Sequence, residues 1–226
     1  MTNLHKKRGA ALITAAVLAL IALFGMTGCP NAAGEGGGKP TPTPMPNQAV
    51  LTLSSDMLNI KVKAKTSDGS AIQVDGCTET RLKSDEETEL HAKGTRVILK
   101  GKITELYCSK NKLTALNVQG LTALERLDCS KNKLPALNVQ GLNALKELVC
   151  DGNQIKAQAM TELLKALPAR DAGDGAKATL FYFGWTGEGN CENFTAPPEL
   201  KAAFEGAKSK NWRLLKRNAI GFDSDI

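Results

Sequence analysis

Three cysteines recur at one interval, and a row of thiols is the first arrangement in this chain that could do chemistry. Cys108, Cys129 and Cys150 are spaced 21 residues apart, so equivalent strands would set their sulfurs side by side, as a metal ion or a thiol–disulfide couple requires. Zinc ligands usually come as close pairs, about two to four residues apart on loops. Here each Cys instead fills the last apolar place of a Leu-x-x-Leu-x-Cys phrase, where a thiol behaves as a small apolar group. Buried core is the expected role, and no metal or cofactor is expected. Cys77 and Cys191 fall outside the period and are the first candidates for a disulfide, with connectivity open. His91 is the one histidine besides His5 and stands in no nucleophile motif. No Gly-rich phosphate loop, G-x-S-x-G elbow or H-E-x-x-H helix occurs, and Glu86-Glu87 reads as a solvated pair. No catalytic residue is assigned, and an enzyme is not expected.

The elements that carry the cysteines are spelled out three times: Ile103 to Leu113, Leu124 to Leu134 and Leu145 to Ile155. Leu106 and Cys108 alternate with Glu105, Tyr107 and Ser109, the period of a strand. Strands this short cannot bury an apolar face alone, so successive copies are expected to stack as parallel neighbours about 4.8 Å apart. Asn111, Asn132 and Asn153 come where the strand turns away. A carboxamide offers both donors and an acceptor, so each Asn can bridge its own turn and the next copy in a buried ladder. The legs from Leu116 to Leu121 and from Leu137 to Leu142 are too short for more than a helical turn, with Gly120 and Gly141 at tight bends.

These phrases match L-x-x-L-x-L-x-x-N-x-L with Cys at the third apolar place, and the chain resembles bacterial leucine-rich repeat proteins of the short-repeat, internalin-like kind. The resemblance covers residues 97 to 155 and implies an α/β fold: a leucine-rich repeat solenoid with a short curved parallel β-sheet whose concave face binds proteins. Its outward residues, the expected ligand-binding set, are Glu105, Tyr107 and Ser109; Arg126, Asp128 and Ser130; Glu147, Val149 and Asp151. Aligning Leu180 and Tyr182 with Leu148 and Cys150 adds Phe181 and Phe183, and clustered aromatics are frequent interface anchors.

The flanks complete the expected plan. Residues 1–28 read as a secretory leader, with Lys6-Lys7-Arg8 before an apolar run from Ala10 to Phe24. Its ending, Gly25-Met26-Thr27-Gly28-Cys29, resembles a bacterial lipobox, which implies cleavage before Cys29 and a lipid on its thiol. Loss of Lys6, Lys7 and Arg8 takes Lys plus Arg from 29 to 26 against 23 acids, a net charge of +3. With no basic stripe, this excludes nucleic acid as the expected partner. Residues 29–48, rich in Gly, Pro and Thr, form a tether, extended in its Pro half at ~3.1 Å per residue. Residues 49–102 alternate as strands and are expected to form an N-terminal β cap over the repeats at 103–155. Met160, Leu163, Leu164 and Leu167 have helical spacing, and Pro197-Pro198 opens a second helix. Residues 156–226 are therefore expected as irregular repeats in a C-terminal βαβαβ-like cap. The expected function is a lipid-anchored cell-envelope protein, at the outer membrane or cell surface ahead of the periplasm. It would bind a protein or glycan ligand, as in adhesion. A periplasmic envelope scaffold is the alternative, with an enzyme or enzyme accessory behind both.

Overall fold

The computed structural model describes residues 45–218 and 220–226. The leader, Cys29 and most of the tether lie outside the described residues. Before the repeats come β1 (Gln48–Thr52), β2 (Asn59–Thr66), β3 (Ile72–Asp75), β4 (Arg81–Leu82), β5 (Glu87–His91) and β6 (Arg96–Lys100). Within them lie β7 (Ile103–Tyr107), β8 (Ala115–Asn117), β9 (Arg126–Asp128) and β10 (Glu147–Val149). After them follow α1 (Ala157–Ala166), β11 (Lys177–Tyr182), α2 (Pro198–Ser209), β12 (Arg213–Arg217) and β13 (Asp223–Asp225).

The strands make two sheets, one of five in the order β4-β3-β6-β1-β8 and one of eight in the order β13-β12-β11-β10-β9-β7-β2-β5. The first is antiparallel throughout. The second is parallel from β12 to β7 and antiparallel at both ends, where β13, β2 and β5 join.

This architecture corrects the expected α/β leucine-rich repeat solenoid: the described chain is mostly β, in two sheets, with two α-helices only. The return legs are the first physical reason. Neither is long enough for a helix; the first supplies β8, which pairs with β1 in the other sheet, and the second makes a single bridge between Asn117 and Asn138. The second reason is that residues 49–102, expected as a cap, divide between the two sheets. Ile60, Val62 and Ala64 of β2 point into the core and its lysines outward, so β2 pairs directly with β7 and continues the larger sheet, while β1, β3, β4 and β6 build the smaller one. After the repeats the expected alternation of strand and helix is present as α1, β11, α2 and β12; β11 and β12 extend the same parallel sheet, and β13, which was not expected, turns back against β12.

Packing explains the strand phase. Leu106, Leu127, Leu148 and Ala178 stand level in consecutive strands, and they and the cysteines after the first three have no solvent exposure. The helical spacing at Met160 to Leu164 is realised in α1, and α2 buries Leu200, Ala203, Phe204 and Ala207. Trp212, also buried, donates its Nε1 hydrogen to the Pro168 carbonyl at 2.7 Å.

All five described cysteines are free thiols. Burial pushes Cys77 up to about 11, with Glu79 adding to it, and pushes Cys108, Cys129 and Cys150 higher still. At neutral pH these groups are protonated and poor nucleophiles. His91 sits exposed on β5, its Nδ1 2.7 Å from Glu79, whose hydrogen bond raises the imidazole pKa.

Candidate functional site

The outward face of the eight-stranded sheet is built in rows, because parallel strands in register place like positions side by side. Lys65, Glu105, Arg126, Glu147 and Lys177 are level on five successive strands, and their charges alternate. Each neighbour is an ion-pair partner: Lys65 to Glu105 at 3.3 Å, Arg126 to Glu105 at 3.8 Å and to Glu147 at 2.8 Å, Lys177 to Glu147 at 3.2 Å. Tyr107 ties in the next row, donating its hydroxyl to Glu105 at 2.7 Å and accepting from Arg126 at 3.2 Å. Burial would raise the Glu105 pKa, but the Tyr107 hydroxyl and Lys65 outweigh it and hold the carboxyl low. A polar cleft of about 290 Å³ opens along this row, lined by Glu105, Glu125, Arg126, Lys146, Glu147 and Lys177 among others. Larger clefts of about 600 and 480 Å³ share no residue with the expected face.

Toward the far ends of the strands the face closes. Ser109 and Asp128 are half-buried, while Ser130, Val149 and Asp151 are buried. Ser130 donates both its backbone N–H and its hydroxyl to Asp128, at 3.0 and 2.7 Å. The structure therefore brings Glu105, Tyr107, Arg126 and Glu147 together as an accessible constellation and withdraws Ser130, Val149 and Asp151 from it.

Phe181 requires a correction. The register sets Leu148 against Ala178 rather than Leu180, and a bulge between Thr179 and Phe181 interrupts pairing with β12. Phe181 is buried, its ring 6.1 Å from Phe194 and thus in the core, whereas Phe183 is exposed. Replacing Phe181 with Ser is expected to cost about 3–5 kcal/mol, while Phe183→Ser at the surface should change stability by about 0.5 kcal/mol or less. Chemical denaturation of the two variants checks this; equal losses would contradict the placement.

Asp151 is the most unusual group near the face. It has no exposure, and Arg217 reaches it from β12 with Nη1 3.2 Å from Oδ1 and 3.5 Å from Oδ2. The contact to Oδ1 is close but poorly angled, and that oxygen accepts no hydrogen bond. Arg217 also holds Asp223 at 3.1 Å, and Asp223 accepts from Thr179 at 3.1 Å. Burial pushes the Asp151 carboxyl up to about 6, with Asp128 and Glu188 adding to it against Arg217. The sign follows from the native state binding a proton that the unfolded state, with an ordinary carboxyl, does not hold. Stability is expected to rise as pH falls through about 6 toward 4, by on the order of 2 kcal/mol, with the full cost present above 6. Asp151→Asn should flatten that slope in denaturation curves taken across the window, and an unchanged slope would assign it elsewhere.

Several residues that sequence reasoning missed organise this corner. Glu188 accepts four backbone N–H groups: Gly152 and Tyr182 at Oε2, Gly189 and Asn190 at Oε1. Trp185 lies on Gly152 and Gly187, where a Cβ would meet the ring at 2.8 and 2.4 Å. Gly152 also has φ +70°, so only glycine satisfies both demands there. The Tyr182 and Trp185 rings meet edge to face at 5.7 Å, and the Lys131 ammonium sits 5.0 and 5.6 Å from their centres.

Behind the face runs a column of carboxamides. Asn132 accepts from the N–H groups of Asn111 and Leu113, both at 3.0 Å, and donates to the carbonyls of Cys108 and Cys129. Asn153 accepts from Leu134 and donates to Cys129 and Cys150. Asn111 instead exchanges bonds with Lys61 of β2. A fourth member, Asn190, accepts from Ile155 and donates to Cys150 and Leu180. The insertion from Phe183 to Gly189 hides it from the period. No protein-family model, curated protein or solved structure matches this chain.

Proposed function

We propose that this protein is a lipid-anchored cell-envelope recognition module that captures a protein ligand on the outward face of its eight-stranded sheet. One observation carries the reading: the row Lys65, Glu105, Arg126, Glu147, Lys177, with Tyr107 beside it, is an accessible charge pattern locked in place by its own ion pairs. Side chains already ordered lose little entropy on binding, and a fixed alternation of sign selects a partner with the complementary pattern while opposing others. Exposed pairs of this kind add little to stability, so the row matters more for recognition than for the fold. The basic and apolar leader and the lipobox-like ending Gly25 to Cys29 support the address, and the Gly/Pro-rich stretch after them gives the module reach from its anchor.

A photo-cross-linking amino acid placed at Tyr107 in the full chain, in living cells, tests the reading. A discrete adduct is expected there and not from the exposed Gln140 position on a return leg. Equal labelling at both positions, or none at Tyr107, overturns it. Labelling with radioactive palmitate in the parent and in Cys29→Ala, followed by protease treatment of intact cells, tests the address separately. Label retained in the variant contradicts the anchor.

A further inference from the structure

Four of the five large apolar side chains exposed among the described residues share one corner: Phe183 at 58%, Trp185 at 37%, Ile220 at 78% and Phe222 at 68%. They sit on residues 183–188 and 220–222, which follow β11 and β12 at the end of the sheet where parallel β7, β9, β10, β11 and β12 all finish. One backbone bond ties them at their base, from Phe183 N–H to the Arg217 carbonyl at 2.7 Å, and the second stretch closes on itself, from Asn218 N–H to the Phe222 carbonyl at 2.8 Å. The turns along the same end carry lysines. Lys110 and Lys112 are exposed; Lys131 lies against the Tyr182 and Trp185 rings, and Lys216 stands 5.6 Å from the Phe183 ring.

Of the acids at this end, Asp128 is half-buried and accepts from Ser130, and the others are withdrawn or matched. Glu188 is turned inward onto four backbone N–H groups, Asp151 is buried, Asp223 is bound to Arg217, and Asp56 is paired with Lys112 and Lys133. What remains toward solvent is a rim of aromatic tips among ammonium groups. Apolar rings at headgroup depth with lysines reaching anionic phosphates is the composition of an interfacial contact. Four side chains are few for a stable protein interface, which needs about 800 Å² per partner. They suffice for a weak contact made again and again by a molecule already held at the membrane.

We infer that this rim docks the domain onto an anionic phospholipid surface, with Phe183, Trp185 and Phe222 entering the headgroup layer and the lysines meeting lipid phosphates. The inference leans on the anchor proposed above only for local concentration. The result is a resting orientation with the strand ends against the bilayer.

Trp185 reports on it directly, because Trp212, the only other tryptophan, is buried. The full chain is added to vesicles whose phospholipid is brominated high on the acyl chain, with and without anionic phosphatidylglycerol, and flotation is measured alongside fluorescence. About twofold quenching with a blue shift is expected in anionic vesicles, weaker quenching in neutral ones or at high salt, and loss of it in Phe183→Ser/Phe222→Ser, a double substitution at exposed positions. Flotation without quenching overturns the rim and leaves the anchor standing, as a protein-contact patch would. Quenching that persists in the double variant, or is equal in neutral vesicles, also overturns it. Quenching without stable flotation supports the rim and contradicts the anchor.

Discussion

Replacing Asn132 with Ala is expected to destabilise the domain by about 4 kcal/mol, the largest effect of any single buried polar change considered for this fold. Its Oδ1 satisfies the N–H groups of Asn111 and Leu113, and its Nδ2 reaches the Cys108 carbonyl. The Cys129 carbonyl keeps a second donor in Asn153, and the Ser130 carbonyl keeps the Lys110 N–H. Truncation therefore orphans three backbone groups inside the protein, at about 1–3 kcal/mol each. For a domain of this size the melting temperature should fall by about 10 °C. Asn132→Asp should not rescue it, since a second oxygen would face the Cys108 and Cys129 carbonyls. Asn117→Ala, which gives up one bond to the Gln119 N–H at a half-buried site, should cost under about 1 kcal/mol. Calorimetry on the three variants distinguishes the cases, and a loss at Asn132 no larger than at Asn117 would mean that the column is not holding the turns.

Glu188→Ala should have the second largest effect, and a more local one. The carboxylate satisfies two donors of its own loop, Gly189 and Asn190, and two from elsewhere, Gly152 and Tyr182. Charge-assisted bonds to N–H groups are among the stronger ones; without them the insertion loses its tie to the turn after β10. A cost of about 3 kcal/mol is expected, with Trp185 leaving Gly152 and its fluorescence moving to longer wavelength. Glu188→Gln should recover little, because its NH2 would point at two N–H donors. A variant that keeps both stability and the Trp185 emission of the parent would show that the loop is held by its ring contacts alone.

The phase of the strands was legible because alternation at Leu106-Tyr107-Cys108 and its copies is a local property of a half-buried strand. The pairing of β2 with β7 was not. Ile60, Val62 and Ala64 announce a strand, but nothing in their sequence says which edge it meets, and that choice made β2 and β5 part of the repeat sheet. Phe181 escaped for a similar reason. Its face depends on a bulge against β12, and one extra residue in a strand reverses the side on which a side chain emerges. Among the candidate site residues, Glu105, Tyr107, Arg126 and Glu147 could be read from position alone, whereas Ser130 and Asp151 lie on the same side and are buried by groups from distant segments. Arg217, which comes from beyond the regular repeats, covers Asp151.

A partner that reads the charge row would respond to the sign of its charges. Five substitutions, Lys65→Glu, Glu105→Lys, Arg126→Glu, Glu147→Lys and Lys177→Glu, invert every sign while keeping opposite charges as neighbours. Stability should stay within about 1–2 kcal/mol of the parent, as surface pairs are worth little individually. The measurement is the yield of the cross-linked adduct from position 107 in this inverted chain. A loss of about tenfold or more is expected, since complementary charges become opposing ones. An adduct of the same mass and yield from a folded, inverted chain would contradict it, and the row would then be part of the scaffold and not the surface that selects the ligand.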